Sequence, residues 1–262
     1  MFSAGLITGA SSGIGLELAK IHASKGENII IVARRKELLE QLQKEISEQY
    51  SVKVIVFAID LTEVGAAKRV YEFTKSQGIF VDYLFNNAGF GTYGKFTSFS
   101  VEKHMEMVQL NIRVLVELSH YYLKDMEENN SGKILNTSST AGFLPSPYFA
   151  NYFATKAYVN SFSQSLSYEL RHTKITVIAL CPGPVKTGFA KVAGLEDSKI
   201  FSKGTDAYST ALKGYNGMMR GKRIVISSFW LNITIKLILP FVPKSLLLKT
   251  MGLKFFSKDK TI

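Results

Sequence analysis

Tyr152 and Lys156 stand four residues apart in the segment NYFATK, residues 151–156, and their types and spacing suit acid–base chemistry. Side chains at positions i and i+4 project from the same face of a helix. In that arrangement a lysine ammonium favours the phenolate of the tyrosine, so the phenol can release a proton near neutral pH. The alternative is structural: the tyrosine ring packs and the lysine extends into water. The rest of the chain must decide between the two.

A glycine-rich segment, TGASSGIG at residues 8–15, follows the first apolar run and precedes a helical pattern. Glycines let the backbone turn sharply and let a pyrophosphate approach closely. The N-terminus of the next helix then directs free N–H groups at the phosphates. We predict that this loop binds the phosphates of a dinucleotide. The predicted residues are Gly9, Ser11, Ser12, Gly13, Ile14 and Gly15.

The second apolar run ends in VARRKE, so Ala33 is followed by Arg34 and Arg35. Many NAD sites have a carboxylate here, which bonds the ribose 2′-hydroxyl. In this chain no carboxylate would repel a 2′-phosphate, and a guanidinium can bind one through paired hydrogen bonds. A helix start disfavours cations, so a solvated helix end does not explain the arginines well. We predict NADP(H) rather than NAD as the cofactor, bound in part by Arg34 and Arg35.

The elements that position these residues alternate between short apolar runs and longer helical patterns. The runs predict strands at 4–8, 28–33, 52–60, 82–87, 132–139, 174–181 and 223–227. Helical patterns lie near 13–25, 36–48, 63–76, 101–128, 152–171 and 205–219. Because the strands are apolar nearly throughout, both faces of the sheet must be covered. This predicts an α/β fold, a single doubly wound Rossmann-type domain with a parallel seven-stranded sheet flanked by helices.

The predicted domain spans residues 1–228, and residues 229–262 form an apolar and basic C-terminal extension packed on or near it. The net charge of +11 is concentrated near that end, because residues 220–262 hold nine basic residues and one acidic residue. The remaining chain holds 23 basic and 20 acidic residues, which argues against a nucleic-acid-binding domain. The four histidines show no ligand spacing and no companion cysteines, so no metal site is predicted.

Cysteine usage and hydropathy bear on the compartment. A single cysteine, Cys181, excludes an internal disulfide and fits a reducing compartment. It ends the apolar run ITVIALC, so we expect a buried core thiol rather than a nucleophile. The start of the chain shows no basic segment followed by a long apolar stretch, so no signal peptide is expected. The stretch 224–242 contains Asn232, Lys236 and Pro240 and is a poor membrane span. A cytoplasmic protein is predicted.

Seven short motifs follow one another at the ends of the predicted strands. They are TGASSGIG (8–15), the aspartate of AIDLT at 60, NNAG (86–89), LN (110–111), SS (138–139), YFATK (152–156) and PGPVKT (182–187). With these motifs the chain resembles the short-chain dehydrogenases/reductases over residues 4–227. The resemblance is to the branch of about this length that reduces ketones, which includes hydroxysteroid and 3-ketoacyl reductases.

The resemblance implies a role for each matched position. The catalytic tetrad would be Asn111, Ser139, Tyr152 and Lys156, with Tyr152 as the general acid. Lys156 would also bond the nicotinamide ribose, and Asn111 would hold a water that returns protons to it. Asp60 would contact the adenine amino group. The rest of the cofactor site would be Leu61, Asn87, Ala88, Gly89, Pro182, Gly183, Val185 and Thr187.

Several of these residues have competing interpretations. Asn111 can also be a buried amide, satisfied inside a long helix. Ser139 is preferred to Ser138 because it precedes Tyr152 by thirteen residues, the usual separation in the family. Neighbours along a strand face opposite sides, so only one of the two serines can face the substrate. Tyr148 and Tyr158 are rival tyrosines, but neither lies one helical turn from Lys156 on the same face.

The prediction for function is an NADPH-dependent oxidoreductase that reduces a ketone to an alcohol. The alternatives are an epimerase or isomerase of the same fold and a nucleotide-sensing protein without turnover. The aromatic-rich stretches 89–96, 141–149 and 188–205 predict a small apolar carbonyl substrate. The family implies a homodimer or homotetramer. The segment 245–258 is a lid, a subunit contact or a peripheral contact with the inner membrane surface.

Overall fold

The computed structural model describes residues 2–196 and 198–256 and contains the predicted parallel sheet. Its strands are β1 (Phe2–Thr8), β2 (Ile29–Ala33), β3 (Val54–Ala58), β4 (Ile79–Asn86), β5 (Gly132–Thr137), β6 (Ile175–Cys181) and β7 (Ile224–Ile226). They form one sheet in the order β3-β2-β1-β4-β5-β6-β7, and every pair is parallel. The predicted fold class is confirmed.

Helices cover both faces of the sheet. They are α1 (Gly13–Ala23), α2 (Lys36–Gln49), α3 (Ala66–Ser76), α4 (Val101–Val108), α5 (Val114–Glu128), α6 (Ala150–Glu169), α7 (Phe189–Val192), α8 (Lys199–Ser202), α9 (Ala207–Met219), α10 (Phe229–Ile233) and α11 (Lys244–Phe256). Short 3₁₀ turns span Phe96–Ser98, Thr140–Phe143 and Leu239–Phe241, and π turns span Gln109–Arg113 and Thr234–Ile238. The helix predicted over 101–128 is therefore interrupted by a π turn at its centre.

Strand β2 shows why apolar runs produce this architecture. Its five residues are all buried, and successive side chains point to opposite faces of the sheet. Ile29 and Ile31 pack into one core with α1, α2 and α9, whereas Ile30 and Val32 pack into the other with α3 and α5. Each face thus has its own hydrophobic layer, as expected for a parallel sheet covered on both sides.

The strand order reverses direction between β1 and β4, which are neighbours in the sheet. In an open parallel sheet, such a reversal leaves a crevice outside the carboxyl ends of the strands, where ligands bind. The predicted site residues follow β1, β2, β4, β5 and β6, so the topology brings their loops to this one edge.

The chain continues beyond β7 in helical elements alone, as far as the structure describes it. These are α10, a π turn, a 3₁₀ turn and α11. Since β7 ends at Ile226, the sheet ends close to residue 228, where the sequence predicts the end of the domain. That domain boundary itself stays a prediction. None of the described helices is long and apolar enough to span a lipid bilayer.

His22 on α1 is buried between the sheet and α9. Its Nδ1 lies 3.2 Å from the hydroxyl of Tyr215, and its ring centroid lies 4.6 Å from that of Tyr83. A Cβ on Gly5 would come within 2.4 Å of His22 Nε2, so the glycine makes room for the ring. Burial lowers the pKa of His22 from 6.5 to about 4, so the folded protein holds this imidazole neutral.

This buried histidine predicts a measurable pH dependence of stability. The unfolded chain binds the proton at higher pH than the folded one, so stability is lost as the pH falls from about 6.5 toward 4. Through His22 the protein should lose about 2 kcal/mol of unfolding free energy between pH 7 and pH 5. His22→Phe should remove this loss, while His120→Phe, at an exposed position of α5, should retain it. Urea unfolding at pH 7 and pH 5 measures the loss of unfolding free energy for each protein. The contributions of the carboxylates are the same in wild type and variant, so they cancel when the two losses are compared. Equal losses in wild type and His22→Phe would contradict the account.

Candidate active site

The glycine-rich loop joins β1 to α1 and forms a cradle at the sheet edge. Gly9 and Gly13 have φ of +68° and +60°, a region that favours glycine. A Cβ on Gly15 would lie 2.4 Å from the carbonyl oxygen of Gly9, so a side chain there would fill the cradle. Ser12 caps α1 without any described side-chain hydrogen bond to the first turn. The loop therefore presents backbone N–H groups and two serine hydroxyls, which suit a pyrophosphate.

The two arginines after β2 reach different parts of this edge. The guanidinium of Arg35 donates to the hydroxyls of Ser11 and Ser12 over 2.9 and 3.0 Å. That of Arg34 lies 3.4 Å from a carboxylate oxygen of Asp60. Partial burial acts to raise the pKa of Asp60, but hydrogen bonds from Thr62 and the charge of Arg34 hold it below its usual value. The sequence predicts both arginines for the cofactor, and the structure places Arg35 against the phosphate loop and Arg34 beside Asp60.

Thr8, at the end of β1, joins the loop to the next segment of the site. Its hydroxyl donates to Phe85 O over 3.2 Å and accepts from the backbone N–H groups of Asn87 and Ala88 over 2.9 and 3.0 Å. The Asn87 amide donates in turn to Thr8 O over 3.1 Å. Sequence reasoning did not single out Thr8, although the residue opens the motif TGASSGIG.

Tyr152 and Lys156 lie on α6, where the helix passes the ends of β5 and β6. Lys156 is 5% exposed, and its ammonium donates to Thr137 O over 2.8 Å. The Lys156 nitrogen lies 5.8 Å from the centre of the Tyr152 ring. Burial lowers the pKa of Lys156 to about 8. Because its ammonium is bonded inside the protein, the interpretation of Lys156 as a surface cation is wrong.

The two serines of the motif differ in their contacts: the Ser139 hydroxyl accepts from Ala141 N over 3.0 Å and donates to Pro182 O over 3.4 Å. Burial raises the pKa of Tyr152 to about 12, while the nearby Ser139 hydroxyl acts in the opposite direction. The expectation of a pKa lowered by Lys156 is therefore not met, because desolvation of the phenolate is the larger effect. The Ser138 hydroxyl instead donates to Lys156 O over 2.9 Å, so it is directed at the backbone of α6.

Asn111 lies in the π turn between α4 and α5 and is buried. Its amide oxygen accepts from Phe90 N over 3.1 Å, and its amide nitrogen donates to Phe90 O and Thr155 Oγ1 over 2.9 and 3.1 Å. A Cβ on Gly89 would lie 2.9 Å from the Asn111 oxygen and 3.5 Å from Lys156 Nζ. The absence of a side chain at Gly89 thus lets Asn111 and Lys156 both lie close to the backbone at this position. The side chain is satisfied by protein groups, and its role in holding a water stays a prediction.

The segment 182–187 follows β6 and runs back toward the glycine loop. Pro182 O accepts from Thr140 N over 2.9 Å, and Val185 forms a β-bridge with Thr205. A Cβ on Gly13 would lie 3.0 Å from the methyl group of Thr187, so this segment borders the phosphate cradle. The residues predicted for phosphate, nicotinamide and catalysis therefore share one edge of the sheet.

Comparison with known proteins agrees with this geometry. The sequence model of the short chain dehydrogenase family matches residues 4–197, about three quarters of the chain. The chain belongs to the short-chain dehydrogenase family. It is 33% identical over 185 residues to a 7beta-hydroxysteroid dehydrogenase of Clostridium sardiniense, which covers 70% of this chain and 69% of the relative. A Collinsella aerofaciens enzyme of the same name is 30% identical over 183 residues, covering 70% and 69%.

Solved structures of short-chain dehydrogenases have the same fold over nearly the whole chain. One from Sphingobium yanoikuyae, in complex with NADPH, has a TM-score of 0.81 and 26% identity, covering 99% of this chain and 96% of that one. A bulky-bulky ketone specific alcohol dehydrogenase from Comamonas testosteroni has a TM-score of 0.77 and 25% identity, covering 98% and 94%. The predicted family and its oxidoreductase class are confirmed, although the family match ends at residue 197 rather than 227.

An aromatic wall surrounds Tyr152 in this short-chain dehydrogenase. The rings of Phe189 and Phe149 have centroids 5.2 and 6.1 Å from that of Tyr152. The three stretches predicted to set specificity all contribute to it. The wall comprises Tyr93, Tyr148, Phe149, Phe153, Phe189, Ala193, Leu195 and Phe201, and Met251 of α11 joins it. The contribution of α11 was not predicted.

The rival tyrosines and the single cysteine have other surroundings. Tyr158 is 42% exposed and stacks on Phe162 at a centroid distance of 6.0 Å, on the outer side of α6. Tyr148, with φ of +63°, belongs to the wall. Cys181 is fully buried, its thiol donates to Asn160 Oδ1 over 3.1 Å, and burial raises its pKa to about 12. It is the core thiol that the sequence predicts.

Proposed function

We propose that this short-chain dehydrogenase is an NADPH-dependent reductase of apolar ketones. The observation that carries the proposal is the grouping of Tyr152 with the Ser139 hydroxyl, which acts on its pKa, and with the buried Lys156 one helical turn away. A phenol with a second hydroxyl nearby and with aromatic rings packed around it suits protonation of a substrate oxygen. No feature favours an epimerase or a sensor without turnover.

The described residues fit a phosphorylated dinucleotide. A side chain at Gly15 would fill the cradle beside Gly9, and the adjacent edge carries Arg34 and Arg35. Arg34 is 71% exposed, and its contact with Asp60 is a surface ion pair of little stability. It can therefore turn toward a 2′-phosphate, while Arg35 is already fixed beside the loop. The Sphingobium yanoikuyae relative in complex with NADPH supports the same cofactor.

The reaction can be followed through the protein's own groups. When bound at this edge, a reduced nicotinamide would supply the hydride for the carbonyl carbon. Tyr152, whose pKa of about 12 keeps it protonated at neutral pH, donates its proton to the carbonyl oxygen. The Ser139 hydroxyl bonds the same oxygen while negative charge develops there. Lys156, with a pKa of about 8, stabilises the phenolate and can pass it a proton.

The substrate class follows from the aromatic wall. Rings from the three aromatic-rich stretches and from α6 form one cluster with Tyr152, and a wall of this composition suits a bulky apolar ketone better than a charged one. The 7beta-hydroxysteroid dehydrogenases and the bulky-ketone enzyme among its relatives support the same class. We expect the chain to assemble as a homodimer or homotetramer, as the family implies.

Tyr152→Phe tests the role of the general acid. Removing the hydroxyl should lower kcat by at least about a hundredfold, because general acid catalysis contributes on the order of 10²–10⁴-fold. NADPH binding, followed by its fluorescence, should remain close to wild type. Tyr158→Phe is the matched control on the same helix and should keep full activity. A kcat for Tyr152→Phe within tenfold of wild type would refute the assignment.

Cofactor choice can be tested at the arginine pair. Replacing Ala33→Asp together with Arg34→Ala removes a charge-assisted bond and introduces a carboxylate. The loss of such a bond costs about 1.5–3 kcal/mol, so NADPH affinity should fall about ten- to a hundredfold, while NADH binding stays equal or improves. The measurement is kcat/KM for both cofactors at one ionic strength. Arg171→Ala, at the far end of α6, is the control. A wild type that prefers NADH, or a double variant with unchanged preference, would show that the arginines are solvated helix-start residues.

A further inference from the structure

The C-terminal extension carries a concentration of exposed apolar side chains. Of the seventeen large apolar side chains that are exposed in the described structure, eight lie between residues 229 and 253. They include Phe229, Trp230, Leu237 and Phe241, which are 68%, 75%, 67% and 84% exposed. The rings of Phe229 and Trp230 are neighbours, with centroids 5.6 Å apart. We call residues 229–253 the C-terminal face.

Helix α11 is unusual within this face. A surface helix normally buries an apolar stripe against the protein. In α11 none of residues 244–253 is buried, and Leu246 and Leu253 are 50% and 64% exposed. An apolar surface of this extent in a water-soluble protein marks a binding surface for another apolar body.

The charges around the C-terminal face have one sign. No aspartate or glutamate occurs between Asp206 and Asp259, whereas this stretch contains nine lysines and arginines. Lys236, Lys244 and Lys249 are exposed on the face itself. None of them takes part in an ion pair with another described residue. The occupant of the face must therefore be apolar and negatively charged.

We propose that the C-terminal face binds the surface of an anionic lipid bilayer. Apolar side chains would enter the boundary between headgroups and acyl chains, and the three lysines would lie at the level of the acidic headgroups. A second copy of the chain fits less well. A two-fold contact sets the same patch against itself, so two faces that each carry lysines would meet without a carboxylate from either face to compensate.

The inner side of the same segment contacts the active site. A Cβ on Gly183 would lie 2.6 Å from a Leu231 methyl group, and one on Gly252 would lie 3.7 Å from Pro147. Met251 packs into the aromatic wall around Tyr152. Bilayer binding would thus bring the substrate pocket close to the lipid, where apolar ketones partition. This consequence rests on the proposed function, whereas the binding itself does not.

Trp230 provides the probe, because it is the only tryptophan in the chain. The full-length protein is mixed with phosphatidylcholine vesicles, with or without phosphatidylglycerol, at low ionic strength. Sedimentation should show binding to the anionic vesicles, at least about tenfold stronger than to neutral ones, and weaker in high salt. The Trp230 emission should shift to the blue on binding, because the exposed indole leaves water.

Two pairs of variants separate the apolar and the charged parts of the contact. Leu237→Gln with Phe241→Gln, and separately Lys244→Glu with Lys249→Glu, should each weaken binding by about tenfold or more. Val64→Gln, at a position 75% exposed outside the face, and Lys124→Glu, at an exposed position of α5, should bind like wild type. All altered positions are exposed, and thermal unfolding verifies the fold.

Three results would overturn the proposal. One is a wild type that does not bind anionic vesicles at low salt. Another is an equal loss of binding in the control variants. The third concerns the variant with Leu237→Gln and Phe241→Gln. If its molar mass in sedimentation equilibrium is lower than that of wild type while its vesicle binding is unchanged, the face binds a second copy of the chain instead. None of these depends on NADPH turnover, so failure of the catalytic assignment stays distinguishable.

Discussion

The site depends on one interaction, the hydrogen bond from the buried ammonium of Lys156 to the end of β5. A buried charge is costly unless it is hydrogen-bonded, and Lys156 finds its partner in Thr137 O at 2.8 Å. This bond seats α6 against the carboxyl end of β5. Tyr152 lies one turn earlier on the same helix face, and Ser139 lies two residues beyond Thr137. This hydrogen bond thus joins the helix that carries Tyr152 to the strand that leads to Ser139.

Burial then acts in opposite directions on the two titratable groups. It raises the pKa of Tyr152 to about 12 and lowers that of Lys156 to about 8, because low polarity disfavours the charged form of each. The phenol therefore holds its proton at neutral pH. The lowered pKa of Lys156 lies closer to neutral pH, so its ammonium can exchange protons with solvent more readily. In the proposed carbonyl reduction, the tyrosine would donate the proton and the lysine would replace it.

The fold was predictable because apolar runs such as β2 have to be buried on both faces, whichever contacts they make. Sequence also placed Tyr152 and Lys156 together, since helical spacing alone fixes their common face. It could not show that Arg35 binds Ser11 and Ser12, because that contact joins two loops after different strands. Nor could it show the π turn at Asn111 or the packing of Met251 near Tyr152, which depend on tertiary contacts.

Direct transfer of the hydride is the most immediate test of the central claim. The protein is incubated with NADPH that carries deuterium at both C4 positions and with a panel of bulky apolar ketones, and the alcohol products are analysed by mass spectrometry. The account predicts an alcohol with one deuterium on its carbinol carbon, formed in step with NADPH oxidation. Binding of NADPH without oxidation by any ketone, or an alcohol without deuterium, would contradict it and favour a nucleotide-sensing protein or another reaction.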